Sequence, residues 1–442
     1  MRAWELAAKY QEQQTDPVQA LEVAIELEKT AKAIFISKDY ERAYREAEAS
    51  KARWKAGQPL SILDGVPISW KDLCDVAGSV TTAGSYLYAQ HQAAEKDAQV
   101  VAILTRMGLV NFGKTNMTEF AYSGLGLNPH FGTPPNIIDN ERIPGGSSSG
   151  AALSVAMGIT PISMGTDTAG SIRIPTAFNG IVGFRASQNR YPMSGVHPLA
   201  TTVDTIGPLG SSVKDFYLLD QLIQGIPFPA LPPDLNAATI RLVYDPEILE
   251  DPTLSPEVTT NFSEMIERLT HLGFVVERRS ISTFKTVLQE VDEGRWIGAA
   301  EAYTLYQSLL ESPDIASIDP LVSQRLLRSK EILASTQITL YQLAKRLRRE
   351  VADELSGAYL LSPTVSITAP TFKQVEKSEH DYFDWNGKAL RLTMPGSFLD
   401  MPGITLPMGV DQHNMPCGLL VSTYSGNDEA LLQLGMLIQE LI

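Results

Sequence analysis

Residues 144–176 read PGGSSSGAALSVAMGITPISMGTDTAGSIRIPT. Glycines sit beside hydroxyl side chains at both ends of this stretch, in Pro144–Gly150 and Gly165–Thr176, with an apolar run between them. That composition is poor for a packed core. It suits a site where backbone N–H groups approach a ligand, because glycine has no Cβ to hold the ligand off. Within the stretch, Thr160–Met164 reads as a strand, and similar apolar runs lie on either side of it. Strands are expected at Val66–Trp70, Leu109–Phe112, Ile181–Phe184, Thr239–Val243 and Phe274–Glu277, with helices such as Ala98–Met107 and Val213–Gln224 between them. Strand-like runs return at Tyr359–Leu361, Gly403–Leu406 and Leu419–Ser422. Short apolar runs alternating with helices imply an α/β fold, a mixed central β-sheet covered on both faces by helices.

Ahead of the sheet, residues 1–58 read as a helical layer. Asp16 caps a helix that Pro17 opens, Val18, Leu21, Ala24 and Ile25 follow helical spacing, and residues 38–56 form a charge-laced second helix. The character changes at Pro59. Residues 225–237 are Pro-rich and read as a surface connection, 283–355 as a helical insertion and 357–442 as the return to the sheet, all within one domain of 442 residues.

The composition, 44% hydrophobic and 20% charged, is ordinary for a globular chain. A net charge of −15 repels phosphate backbones, so nucleic acid is not an expected partner. The basic cluster Lys345–Arg349 reads as a solvated helix face. Cys74 and Cys417 are too few for a disulfide scaffold and lack zinc-ligand spacing, which fits a cytoplasmic location. No apolar run reaches the roughly 18 residues of a membrane helix, and no membrane association is expected.

Three motif matches fail on context. Gly108–Thr115, GLVNFGKT, fits the phosphate-loop pattern, but its four internal residues read as the strand itself rather than a flexible loop. Gly146–Gly150, GSSSG, fits a nucleophile elbow centred on Ser148, yet the preceding Asp139–Pro144 is polar and ends in proline instead of forming a strand. The histidines downstream, His197, His271, His380 and His413, sit in no recognisable catalytic setting and read as surface or core residues. Ser211–Lys214, SSVK, fits SxxK without its companion motifs, and capping of the helix that follows by Ser211 or Ser212 is the expected role.

Four further segments carry a resemblance. GVPISWKD (Gly65–Asp72), GKTNMTEFA (Gly113–Ala121), GGSSSG (Gly145–Gly150) and GTDTAGSIRIP (Gly165–Pro175) resemble, in order, the motifs of the amidase signature family, strongly over residues 60–220 and loosely elsewhere. The resemblance implies Lys71 as catalytic base, Ser147 as a serine preceded by a cis peptide bond, and Ser171 as nucleophile. It also implies an oxyanion hole from the backbone of Thr168, Ala169, Gly170 and Ser171. Asp167 and Arg173 are expected to hold that loop's shape. Leu73 stands where the family usually has Asn, and Ser149 where it often has Gly.

The residues make chemical sense apart from the resemblance. A serine hydroxyl needs a neighbour to take its proton, and a lysine does so only when neutral, well below its reference pKa of about 10.4. Lys71 ends the apolar run VPISW, which would desolvate it, and a Ser147 hydroxyl both donates and accepts. The expected activity is hydrolysis of the C–N bond of a small, linear amide through an acyl-enzyme, releasing ammonia or an amine, with no metal or cofactor. Within the family, a glutaminase A subunit of the tRNA-dependent amidotransferase and a carboxybiuret or allophanate-type hydrolase remain open. So does a homodimer or a small accessory subunit. A catalytically silent scaffold subunit is disfavoured by the complete Ser–Ser–Lys set. Met117, Phe120 and Tyr122 follow the second motif and are candidates to line an acyl pocket, with core packing as the alternative.

Overall fold

The structure, a computed structural model, describes all 442 residues. Eleven strands form one sheet: β1 (Phe35–Lys38), β2 (Pro67–Lys71), β3 (Val110–Thr115), β4 (Ile162–Asp167), β5 (Val182–Arg185), β6 (Thr205–Gly210), β7 (Arg241–Tyr244), β8 (Val275–Arg278), β9 (Tyr359–Pro363), β10 (Gly403–Val410) and β11 (Pro416–Ser422). Their spatial order is β1-β3-β2-β4-β6-β5-β10-β11-β9-β7-β8. β2 runs parallel to β3 and β4, and β7 parallel to β8 and β9, while the other pairings are antiparallel. The expected mixed sheet is thus the fold observed.

Helices cover both faces. Ile68, Trp70, Ile162 and Met164 pack with Val100 and Leu104 of helix Gln99–Arg106 and with Phe216 and Leu219 of helix Val213–Ile223. On the opposite side, Val110, Phe112 and Leu209 meet Leu21 and Ala24 of helix Pro17–Thr30, Ala43 and Ala47 of helix Tyr40–Lys55, and Ala151 and Ala152 of helix Ser149–Ala156. Asp16 starts its helix as expected, its Oδ1 accepting the N–H groups of Val18 at 3.0 Å and Gln19 at 3.1 Å. Four helices, Ser282–Asp292, Ala299–Leu310, Pro320–Leu327 and Ala334–Leu355, occupy most of the stretch between β8 and β9. No helix is long and apolar enough to cross a membrane.

The structure differs from the sequence reading in three places. Two strands were not expected: β1, only four residues within the N-terminal helices, and β6, TIGPLG, whose proline and glycines argue against a central strand. β6 lies mid-sheet all the same, because at its glycines the chain packs with no room for a side chain. A Cβ on Gly207 would stand 2.1 Å from the Phe184 carbonyl oxygen. Ser212 occupies the N-cap of its helix but does not cap it through its side chain; Gln439 Oε1 accepts the Val213 N–H instead, at 2.8 Å. Residues 144–176, expected to pack poorly, are buried apart from Ala156, Met157, Gly158 and Ala169. Hydroxyls there satisfy one another: Ser69 Oγ lies 3.2 Å from Ser154 Oγ, 2.9 Å from Thr160 Oγ1 and 2.8 Å from Ser163 Oγ. Paired hydroxyls can be buried at little cost.

Candidate active site

β2 and β4 are parallel neighbours with Trp70 opposite Met164, so their carboxyl ends leave the sheet side by side. Such an edge is where open α/β sheets place their ligands. Lys71, the last residue of β2, is fully buried, and its Nζ donates to Ser147 Oγ at 2.6 Å and to Thr166 Oγ1 at 2.8 Å. Burial pushes the Lys71 amine down to about 7, against the opposing pull of the Asp167 carboxylate.

Ser147 follows a cis peptide bond from Gly146, and its carbonyl accepts the Thr118 N–H at 3.1 Å. The GKTNMTEFA segment therefore braces the serine loop from behind. Ser171 lies in the turn between β4 and helix Arg173–Asn179, and its carbonyl accepts the Ser148 N–H at 3.2 Å. The Ser147 and Ser171 hydroxyls do not bond to each other. Of the turn's backbone, Ile172 and Arg173 donate to Asp167 Oδ2, whereas the N–H groups of Thr168, Ala169, Gly170 and Ser171 donate to no other residue.

Asp167 and Arg173 shape this turn. Arg173 Nη2 and Nε reach Asp167 Oδ1 and Oδ2 at 2.9 Å and 3.0 Å, Nη1 donates to the Thr393 carbonyl at 2.9 Å, and Nη2 donates to Ser397 Oγ at 2.7 Å. Burial would raise the Asp167 carboxyl, but Arg173, with Arg185 behind it, outweighs that and holds it at about 2. Removing one partner of a buried pair strands the other charge. Arg173→Met is accordingly expected to cost about 3–5 kcal/mol of stability, measured by urea unfolding.

Ser171 opens into a narrow cavity walled by Tyr122, Thr168, Leu199, Trp296, Arg325 and Leu390. Arg325 lies 4.5 Å from the Tyr122 ring centroid and donates through Nη1 to the Tyr122 carbonyl at 2.8 Å. Of the three residues suggested for an acyl pocket, Tyr122 lines this cavity. Met117 and Phe120 are fully buried outside its lining, and Phe120 stacks on Tyr306 with ring centroids 4.3 Å apart. Besides the wall residues Leu199 and Leu390, four contributors were not singled out from the sequence: Thr166, Trp296, Arg325 and Thr393, whose hydroxyl reaches the Ala169 carbonyl at 2.5 Å. Thr166 sits inside the GTDTAGSIR motif, two residues beyond Met164, the β4 partner of Trp70, so strand pairing could have found it. The other three lie in segments with no local pattern.

The rejected motifs take structural parts. Lys114 of the phosphate-loop match is buried, 2.7 Å from Asp72 Oδ1, and donates to the Val80 carbonyl and Thr81 Oγ1. Ser148 Oγ donates to the Thr166 carbonyl at 3.3 Å. His197 Nε2 lies 3.0 Å from the Tyr306 hydroxyl, and His271, His380 and His413 are exposed.

Known proteins resemble the chain along nearly its whole length. The family model described as Amidase matches residues 18–432. Mandelamide hydrolase of Pseudomonas putida is 31% identical over 434 residues, covering 92% of this chain and 84% of that protein. 2-Amino-5-chloromuconic acid deaminase of Comamonas testosteroni is 31% identical over 420 residues, covering 91% and 87%. A crystal structure of an amidase superposes with a TM-score of 0.87 at 31% identity, covering 100% of this chain and 99% of the other.

Proposed function

As a member of the amidase signature family the chain is a serine amidase that hydrolyses amide carbon–nitrogen bonds, and we propose that Ser171 is its nucleophile, Ser147 its proton relay and neutral Lys71 its base. The observation that carries this reading is the 2.6 Å contact between Lys71 Nζ and Ser147 Oγ in a fully buried setting that pushes the amine to about 7. About half of such amines are neutral at pH 7. In that form the contact reverses: Ser147 donates its O–H to the Nζ lone pair.

As Ser171 Oγ attacks the carbonyl carbon, its proton passes to Ser147 and the Ser147 proton to Lys71. The Ser147–Ser171 bond needed for this step belongs to a class that is commonly loose before substrate binds and tightens in the Michaelis complex. Negative charge on the former carbonyl oxygen falls to the four free N–H groups of Thr168–Ser171. The relay run backwards protonates the nitrogen, ammonia or an amine leaves, and water then hydrolyses the acyl ester. We assign the substrate to small linear amides, whose acyl group would pack against Tyr122, Trp296 and Leu390.

Two measurements test this. A fluorophosphonate probe should label Ser171, and absence of label on folded protein would remove Ser171 as nucleophile. A panel of aryl, aliphatic and amino-acid amides, glutamine included, scored by ammonia release should yield a linear substrate. Turnover of glutamine alone would narrow this substrate reading to that of a glutaminase.

The turn tolerates little change. Gly170 has φ +141°, and a Cβ there would stand 2.3 Å from Thr393 Oγ1 and 2.8 Å from Ile174 Cδ1. Gly170→Ala must move the turn, and loss of one well-aimed donor lowers kcat about 10²–10³-fold. That drop is expected in steady-state hydrolysis; an unchanged kcat would remove this turn as the oxyanion site.

A further inference from the structure

Asp204, in the residue before β6, is buried with 8% of its surface exposed, and it appears in none of the catalytic steps above. Its carboxylate joins two walls of the Ser171 cavity. Oδ1 accepts from Thr168 Oγ1 at 2.6 Å, and Oδ2 accepts the N–H groups of Leu199 at 2.8 Å and Ala200 at 2.9 Å. Thr168 begins the nucleophile turn, and Leu199 forms the facing wall. On the other side of the turn, Thr393 reaches the Ala169 carbonyl. The turn is therefore held from both flanks by side chains outside its motif, and Asp204 supplies the charged one.

We propose that Asp204 is a positioning residue, a buried carboxylate that ties Thr168 to the Leu199–Ala200 wall and so fixes where the N–H groups of the nucleophile turn point. This rests on Ser171 as nucleophile and on the turn as its oxyanion site. A carboxylate accepts all three bonds at once, and hydrogen bonds to charged groups are stronger than neutral ones. Small misplacements of a reacting group, of the order of 1 Å, cost about 10²-fold in rate. The tie therefore acts on kcat, through the turn, without touching substrate.

Asp204 also bears on the pH response. Burial, with Glu301 of helix Ala299–Leu310 adding to it, pushes the carboxyl up to about 6, and Tyr306 of the same helix and Lys71 of β2 are the other titratable groups near it. An ionised Asp204 favours protonated Lys71. Replacing it by a neutral isostere should make the lysine easier to deprotonate.

The test separates tie from charge. Thr168→Val keeps shape and removes the hydroxyl; kcat should fall about 10²-fold with KM little changed, while Thr168→Ser recovers most of the activity. Asp204→Asn can still accept the Leu199 and Ala200 N–H groups but turns an amide donor to Thr168 in place of the charged acceptor, so its plateau kcat should fall, by less than in Thr168→Val, while the acid limb of kcat/KM moves to lower pH. The fluorophosphonate labelling rate of Ser171 is followed in each variant. Thr168→Val labelled and turning over at the parent rate, or Thr168→Ser as impaired as Thr168→Val, overturns the tie. An Asp204→Asn limb that does not move overturns the charge coupling. An unlabelled parent enzyme would overturn the nucleophile assignment, and with it this proposal, and so is told apart from failure of the tie alone.

Discussion

Ser171→Ala is expected to lower kcat by about 10⁴-fold or more while leaving the fold intact. Ser171 Oγ bonds to no residue in the structure. Its structural contribution runs through the carbonyl that accepts the Ser148 N–H, which alanine retains. The loss should therefore be chemical, with stability within about 1 kcal/mol of the parent by urea unfolding. Residual turnover would reflect the turn's N–H groups, which the substitution spares. Ser148→Ala is the control: the Ser148 hydroxyl donates only to the Thr166 carbonyl, and the backbone N–H that holds the Ser171 carbonyl is kept by alanine, so most activity should survive. Retention of about a tenth of kcat by Ser171→Ala would mean that another group attacks the carbonyl.

What could be read in the sequence follows the range of the interactions involved. The residues that meet at the carboxyl edge of β2 and β4 sit in compact motifs, and it is the resemblance of those motifs to the amidase signature that marked Lys71, Ser147 and Ser171. The sheet was legible because its strands are short apolar runs between helices. β6 was not, since TIGPLG carries the residues that ordinarily exclude a central strand; the approach of the Phe184 carbonyl to Gly207 and of the Phe216 ring to Gly210 explains the glycines. The burial of residues 144–176 was misjudged for a related reason: composition counts hydroxyls as polar, whereas Ser69, Ser154, Thr160 and Ser163 spend theirs on one another. Trp296, Arg325 and Thr393 reach the site through the long chain between β8 and β10, with no local pattern to mark them. Asp204 stands only 33 residues beyond Ser171, but its role depends on a contact across the turn that spacing alone does not specify.

Lys71→Met is expected to abolish most activity and, at the same time, to stabilise the protein. In the parent, acylation needs the neutral amine, so kcat/KM should fall tenfold per pH unit below about 7, and this limb should vanish with the lysine. The stability effect has a definite sign. The folded-state pKa, about 7, lies below the roughly 10.4 of an unfolded lysine. Between those values the unfolded chain holds the extra proton, so stability rises with pH across the window and the whole cost is borne below about pH 7. About three units at 1.36 kcal/mol each give a gross cost of about 4–5 kcal/mol. Methionine fills much of the same volume without a charge, but it leaves Ser147 Oγ and Thr166 Oγ1 without their partner, at about 1 kcal/mol each. The net gain should be about 2–3 kcal/mol at pH 6 and turn into a loss of about 1 kcal/mol by pH 10, by urea unfolding at both. Asp167 does not reverse this, because Arg173 and Arg185 already absorb its charge. A stability difference independent of pH would mean that Lys71 does not titrate near 7, and an acid limb that survives the substitution would remove it as the base.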